Sequence, residues 1–414
     1  MSQHWRILFP PHPPTARNSA GIATKVGQTR LAADPFRRGL TTADPTARWS
    51  GSDAPLATDW PPGSCAEPNH FYLPMLLQPA LEHLRDGAEA VYRIEPLEDG
   101  VPIALLPVTV SRRHGRVPLA HCANWIHRHG FYGAPLLRKG REEAGWEAVL
   151  ATLDAAPWSG HFLHLRRIAA EGPAAQALAR VCARQGRRLE EVGRSQRALL
   201  HSPLDAQAYW EQQVRAKKRK ELRRLMARLG DEGPVQTRVL RDAAELPEWV
   251  DTFLAVERAG WKGERGTALA SSPADTAFFR TGCAAALASG ALDLLRLDCG
   301  DRTIAMLLNF VGPDGAFSFK IAVDPAFARY SPGVLIEQFN LVRVLDDRVA
   351  PWMDSCAAPD HPMIDSLWAE RRTIAQYRVA LRHGGMRGAA GRLVLPALSV
   401  LEAGFQRLKR RMTP

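Results

Sequence analysis

The sequence predicts a mixed α/β fold, an α+β arrangement around a mixed sheet, built from two similar halves. Three observations predict it. At 414 residues the chain is too long for one ordinary hydrophobic core. Short runs with strand periodicity interleave with longer runs of helical periodicity. The order helix, antiparallel hairpin, then strand, loop and helix occurs twice. The halves share no obvious residue identity, so the duplication is one of pattern.

In the first half, residues 71–84 (FYLPMLLQPALEHL) read as a helix and 90–94 as a strand. Residues 101–111 (VPIALLPVTVS) form a second strand, turned back through Glu98-Asp99-Gly100 to make a hairpin. A helix over 146–153, a strand over 161–168 and a helix over 173–185, closed by Gly186, complete it. The second half opens with a long basic helix over 209–229, closed by Gly230, then helices over 246–258 and 275–289. Residues 291–298 and 303–310 form a hairpin around Cys299-Gly300-Asp301. A strand over 317–323, a helix over 333–345, a short strand over 351–354, a helix starting at 365–368 and a strand over 377–381 follow. The boundaries expected are a poorly ordered leader at 1–58, rich in Pro, Arg, Thr, Ala and Gly, and halves at 59–205 and 206–385. A basic amphipathic helix is expected at 386–414.

Composition narrows the function. Lys and Arg number 54 against 43 Asp and Glu, a formal charge of +11 that favours anionic partners: nucleic acid, an anionic membrane face or a phosphorylated cofactor. No apolar run approaches the roughly 18 residues of a membrane span. Pro10, Pro11, Pro13 and Pro14 interrupt the only apolar run near the start, so no secretory signal is expected there and a cytoplasmic enzyme is. Cys65, Cys122, Cys182, Cys283, Cys299 and Cys356 show no C-x-x-C spacing, which argues against a zinc knuckle, a redox pair or a disulfide framework. His121, His127 and His129 cluster only weakly, and no metal is expected.

The most informative run is 317–339 (FSFKIAVDPAFARYSPGVLIEQF). A strand ends at Asp324-Pro325, and Ser331-Pro332-Gly333 opens an apolar helix after a loop. Ser331 suits the N-cap and Pro332 the first helical position, while Gly333 allows close backbone approach. Such a helix start, with Arg329 beside it, is an anion site for which a pyrophosphate is a natural occupant. The same residues also make an ordinary helix entry.

In this segment the sequence resembles the GNAT acyltransferases, whose central strand is followed by an Arg/Gln-x-x-Gly-x-Gly/Ala loop that cradles the coenzyme A pyrophosphate. Arg329, Tyr330, Ser331, Pro332, Gly333 and Val334 occupy that place, with Pro332 where the first Gly belongs. The flanks resemble the BioF-like acetyltransferase branch linked to cellulose biosynthesis, the CelD/BcsL-like proteins. They are the basic stretch Lys217-Lys218-Arg219-Lys220-Glu221-Leu222-Arg223-Arg224, then Glu257, Gly260, Trp261, Lys262 and Gly263, Gly266-Thr267-Ala268, Phe278-Phe279, Asp354-Ser355-Cys356 and Trp368. The resemblance spans roughly residues 69–381 and is strongest after Lys217. That branch is similar to the Fem-type aminoacyltransferases, which are also paired GNAT folds. The resemblance implies tandem GNAT-like folds, an acyl-CoA co-substrate (acetyl-CoA or longer) and direct attack by an amine or hydroxyl without a covalent enzyme intermediate. Cys283 and Cys356 are then structural.

Acyl transfer needs a donor cleft, a group for the carbonyl oxygen and a route for the acceptor's proton. Asp324 ends the central strand, where it orients or deprotonates the acceptor, or simply starts a turn. Lys320 shares a strand face with Ser318 and Ala322, lining a cleft or facing solvent. Glu257, Trp261 and Lys262 lie where a helix runs into a Gly-rich loop that covers the acceptor. Asp354, Asp360 and His361 follow the last core strand, His361 being a proton acceptor near neutral pH or a surface residue. The acceptor is a small molecule, glycan or lipid. The basic helices permit peripheral membrane contact, and the lack of interleaved aromatics argues against nucleic acid. The leading reading is acyl-CoA transfer in exopolysaccharide (cellulose-type) or envelope-lipid synthesis, and three other readings stand open, the second of them a further acyl-CoA variant. They are a Fem-like transferase using aminoacyl-tRNA, a ceramide-forming type of lipid-base acyltransferase, and an inactive GNAT binding module.

Overall fold

Leu, Val and Ile in alternating runs bury one side of a strand, and Ala-rich amphipathic runs bury one stripe of a helix. A computed structural model, which describes residues 49–50, 60–86 and 90–383, with Leu395 and Leu398, follows the helix rule over Pro173–Arg184, while central strands such as Arg302–Phe310 are buried on both faces. These fall in one compact unit, Thr46–Pro414; the other unit, Met1–Pro45, lies outside the described residues.

The first half runs β1 (Trp49–Ser50), α1 (Pro74–His83), β2 (Val91–Ile94), β3 (Leu97–Glu98), β4 (Val101–Pro102), β5 (Ala104–Ser111), β6 (His121–Asn124) and β7 (Leu136–Leu137). It continues through α2 (Glu142–Ala155), β8 (Phe162–Ala169), α3 (Pro173–Arg184) and β9 (Leu189–Leu200). The second half begins with α4 (Ala206–Gln213), α5 (Ala216–Gly230), β10 (Val235–Val239), α6 (Leu246–Ala259), the single turn α7 (Trp261–Glu264) and α8 (Pro273–Ala288). It ends with β11 (Leu292–Cys299), β12 (Arg302–Phe310), β13 (Ala316–Val323), α9 (Pro332–Leu345), β14 (Met353–Asp354) and β15 (Glu370–Ala380).

Among the described residues the main sheet has 13 strands in the order β1-β2-β5-β6-β8-β15-β9-β14-β13-β12-β11-β10, with β7 paired to β5. Each half repeats one plan. An antiparallel run steps across a helix to a parallel strand: β6 to β8 over α2, and β13 to β14 over α9. The halves then exchange their last strands. β9 belongs to the first half in chain order but pairs with β14, while β15 leaves the second half to pair with β8. β9 and β15 pair with each other from Glu370↔Leu199 to Val379↔Leu189, which makes the sheet continuous.

Several expectations are revised. The basic helix over 209–229 is two helices, because Val214 adopts an extended conformation and buries its side chain while Arg219 donates to its carbonyl at 2.6 Å. The helix start at 365–368 is a single 3-10 turn, Ile364–Ser366, since the chain must enter β15 at Glu370. The strand expected over 101–111 is broken at Ile103, whose N–H donates to Pro96 O. Strands β1, β3, β6, β7, β9 and β10 were not expected. The leader at 1–58 lies outside the described residues save for β1, and only Leu395 and Leu398 of 386–414 are described. Both are buried in a cluster with Phe162. No described helix is long and apolar enough to cross a membrane.

The strand exchange is fastened by charge. Asp354, fully buried at the end of β14, pairs with Arg197 of β9 through Nη2 at 2.7 Å and Nε at 2.6 Å, and with Arg372 of β15 at 3.0 Å. Arg372 reaches on to Glu67 at 2.7 Å and lies over the Tyr132 and Trp352 rings. Burial alone would raise the Asp354 pKa, but Arg197 and Arg372 override it and hold the carboxyl below its ordinary value. Asp354→Ala would leave two buried guanidiniums facing each other, so its unfolding free energy in urea should fall by about 3–5 kcal/mol.

Candidate functional site

β14 pairs with β13 only at Ala316↔Met353 and Phe317↔Asp354. It stops there because Cys356 takes a left-handed backbone (φ 54°) and donates its N–H to Asp354 Oδ1 at 2.8 Å, which turns the chain away. β13 runs on to Val323 without a sheet partner on that side. The strands part, and a cavity of about 440 Å³ opens between residues 318–323 and the segment holding Ser355, Cys356, Ala357 and His361. It is lined from both faces of the sheet. Glu257, Trp261 and Lys262 come from the side where Met306, Leu308 and Phe310 pack with Phe253 and Phe279. Glu337 comes from α9, on the side where Asn309 donates to Asn340 Oδ1 at 2.9 Å.

The matching gap in the first half is closed. There β6 and β8 pair at Cys122↔Leu163 and Ala123↔His164. Beyond that point the Asn124 amide bridges the strands, accepting from Arg166 N and donating to Arg166 O, both at 2.9 Å, and to Gly133 O at 2.9 Å. A Cβ on Gly133 would lie 2.3 Å from Arg166 O, so only glycine lets the loop press this close.

On the open strand, Asn309 faces Ser318 while Leu308 faces Lys320, leaving Phe319 as an extra residue. This bulge interrupts the expected period-two alternation of Ser318, Lys320 and Ala322. Lys320 lines the cavity with its Nζ 5.4 Å from the Phe319 ring centroid. Burial lowers its pKa to about 8, with Glu257 opposing and Lys262 adding to the shift. Glu257 lines the cavity but is committed: Oε1 accepts from Lys262 Nζ and Oε2 from Leu269 N, both at 2.8 Å. Lys262 Nζ also donates to Ile321 O at 3.1 Å, tying the loop to the strand. Trp261 is 59% exposed at the rim with Arg265 over its ring.

The structure thus brings Lys320, Glu257, Trp261, Lys262 and His361 together at one cavity. Asp324 does not line it. Its carboxylate pairs with Arg302 at 2.7 Å and accepts from Ala326 N at 2.9 Å, opening the 3-10 turn Pro325–Tyr330. Asp354 lies behind the cavity in the Arg197–Arg372 cluster. Of the loop residues, Arg329 pairs with Glu232 at 2.8 Å and lies over the Tyr330 ring, while the Tyr330 hydroxyl also donates to Glu232. Pro332 stands in the first turn of α9 as expected. Ser331 holds the cap position with a left-handed backbone and no side-chain cap bond. Val334 N closes the turn onto Ser331 O at 2.9 Å. Gly333 is the loop residue that abuts the cavity wall, since a Cβ there would lie 3.3 Å from Val323, 3.5 Å from Ile321 and 3.5 Å from Met363.

The sequence reading missed Glu337, although a lone acid inside the apolar run VLIEQF was a visible signal. It is 3% exposed, and burial raises its pKa to about 7, with the Asn340 amide donating at 3.2 Å in opposition. Asn340, Asn309, Asp293 and Arg343 continue this buried polar chain beneath the sheet. All six cysteines are buried and unpaired in disulfides, and burial pushes the Cys356 thiol far above its ordinary value, which keeps it out of nucleophilic chemistry.

Residues 216–347 match the family model described as an acetyltransferase (GNAT) domain. The crystal structure of FemX is similar over 75% of this chain and 92% of that one, with TM-score 0.51 at 10% identity. L-PGS from Bacillus licheniformis (TM-score 0.45, 13% identity, 80% and 92% covered) is also similar. So is a tandem GNAT protein from the clavulanic acid biosynthesis pathway (0.38, 14%, 77% and 91%). No curated protein matches the sequence. The chain has a mixed α/β GNAT-like fold, and the match to the acetyltransferase (GNAT) model falls within its second half.

Glu337 makes stability depend on pH. Its folded pKa, about 7, lies above the ordinary 4.5, so the folded state holds the proton more tightly. That stabilisation is complete below pH 4.5 and is lost as pH rises through 7. Glu337→Gln should melt like the parent at acid pH and be the more stable protein above pH 7, by roughly 3 kcal/mol.

Proposed function

We propose that the protein is an acyltransferase that moves an acetyl or longer acyl group from acyl-CoA to an amine or hydroxyl by direct attack. The observation that carries this is the parting of β13 from β14. Beyond Phe317, β13 presents an unpaired strand edge, and the amide-bearing pantetheine arm is suited to pair with such an edge. The arm would lie in the cavity, with the pyrophosphate at the start of α9 near Gly333, where helix N–H groups favour an anion. The acceptor approaches from the side of Glu257, Trp261 and Lys262. Glu257 and Lys262 brace the loop against the strand. Lys320, with its lowered pKa, takes the acceptor's proton in its neutral form. Residues 206–385 then bind the donor, and residues 59–205 contribute Phe131 to the acceptor side. An envelope-lipid or exopolysaccharide acceptor fits an acceptor side that is open at the rim beside Trp261.

A second reading takes the acyl group from aminoacyl-tRNA. It is favoured by the exposed cations Arg215, Lys217, Lys220, Arg223, Arg224 and Arg228 along and beside α5. Charged tRNA retained in a gel shift at physiological salt, with no affinity for acyl-CoA, would decide for it.

Calorimetry with acetyl-CoA and longer acyl-CoA should show saturable binding, weakened at least tenfold by Gly333→Val, whose side chain enters the cavity wall. Absence of binding at every chain length rejects the acyl-CoA reading. With an acceptor in hand, turnover should rise with pH through about 8. Lys320→Met should lower kcat about a hundredfold or more while leaving acyl-CoA affinity near the parent value.

A further inference from the structure

A second cavity, of about 330 Å³, adjoins the acyl-transfer cavity and shares Phe131, Cys356 and Ala357 with it. Two arginines, Arg167 and Arg197, line it together with Ser195. Both belong to the first half of the chain, which so far has supplied the open site only with Phe131.

The cluster behind this cavity carries an unbalanced charge. Asp354 and Glu67 are its carboxylates, and Arg197 and Arg372 are their partners. Arg167 adds a third cation. Among the described residues the one hydrogen-bond partner of its guanidinium is the Gly130 carbonyl, and no carboxylate lies within ion-pair distance. The residue is exposed overall, yet burial of its guanidinium, then repulsion from Arg197 and Arg166, lowers its pKa. A cation in that setting is stabilised by any anion that enters.

The backbone aims Arg167 there. β8 pairs with β15 at Leu165↔Tyr377 and Ile168↔Ala375, and between these pairs the register slips. Arg167 sits in the slip with φ 58°, a left-handed conformation that a non-glycine residue adopts at a cost of order 1 kcal/mol. Gly133 N holds Arg167 O at 2.9 Å, fixing the bulge. Bulges turn a side chain out of its regular face, and this one turns Arg167 to the cavity wall. Arg197 is held by Asp354 and by Phe131 O at 2.8 Å, so it is pre-positioned.

We propose that this cavity is a recognition subsite for an anionic group, a carboxylate or a phosphate, carried by the acyl acceptor, with Arg167 as its principal contact. The inference rests on the acyltransferase reading for the word acceptor, but the anion site itself is separately measurable. The nucleophile would lie in the cleft and its anionic substituent beyond Phe131, between the two arginines. Acceptors of this class are amino acids, acidic sugars, sugar phosphates and phospholipid headgroups.

The test titrates the full-length protein with inorganic phosphate and, separately, with acetate, in the presence and absence of coenzyme A. Arg167→Gln and Arg167→Lys are run beside the parent, each checked for an unchanged melting curve. At least one anion should bind the parent with coenzyme A present. Arg167→Gln should weaken that binding at least tenfold and Arg167→Lys should retain much of it, while coenzyme A affinity stays level in all three. Phosphate preferred over acetate marks a phosphorylated acceptor, and the reverse a carboxylate. Equal anion affinity in Arg167→Gln and the parent overturns the proposal, as does no binding of either anion to the parent. Failure of coenzyme A to bind, with anion binding intact and dependent on Arg167, overturns the donor assignment and leaves the anion site standing.

Discussion

A buried carboxylate with two guanidinium partners holds the architecture in register. Asp354 is the last residue of β14, and its partners Arg197 and Arg372 sit on the two strands that the halves exchange. Burying such a group is tolerable only because both oxygens are answered, by the two arginines and by the N–H of Cys356. The same N–H bond turns the chain out of β14. Fastening the strand exchange and opening the cleft are therefore consequences of one set of contacts.

The two halves show what that opening requires. Both step from an antiparallel run to a parallel strand over a helix, and in both the parallel pairing lasts for two residue pairs. In the first half Asn124 spans the gap and Gly133 lets the following loop fill it. In the second half the loop swings away, a bulge at Phe319 loosens the alternation, and Lys320 and Glu337 line the space from opposite faces of the sheet. The closed half still takes part, since it carries Phe131 to the rim of the open cavity and Arg167 and Arg197 to its neighbour.

What was legible in the sequence follows from how local each signal is. The hairpin around Cys299-Gly300-Asp301, the strand before Asp324 and the helix after Ser331 carry their own periodicity and turn residues, and they lie where expected. The cavity-lining set was visible as chemistry-bearing residues, Glu257, Trp261, Lys262 and His361 beside element ends and Lys320 on a strand face. β9 was not: LEEVGRSQRALL lacks apolar alternation because much of it is exposed, and its place is set by β15 and β14 far along the chain. The start of β15 at Glu370 was hidden for the same reason, its charged residues being paired to Asp354, Glu67 and Tyr209 rather than patterned. The roles of Asp324, Arg329 and Tyr330 were equally beyond local reading. Their partners Arg302 and Glu232 are distant in sequence and can be assigned only once the strands are assembled.

The exchanged strands also bear on how the chain reaches this state. The first half lacks one of the two sheet neighbours of β8 until residues 370–380, about 200 positions further along, have been made. A nascent first half therefore waits with the edge of β8 unpaired, and such edges are open to wrong pairing with other chains. Closing the sheet joins residues about 200 positions apart in sequence, the kind of long-range contact that slows folding. The arrangement ties completion of one half to synthesis of the other, so that a truncated product would expose a sheet edge rather than a finished domain.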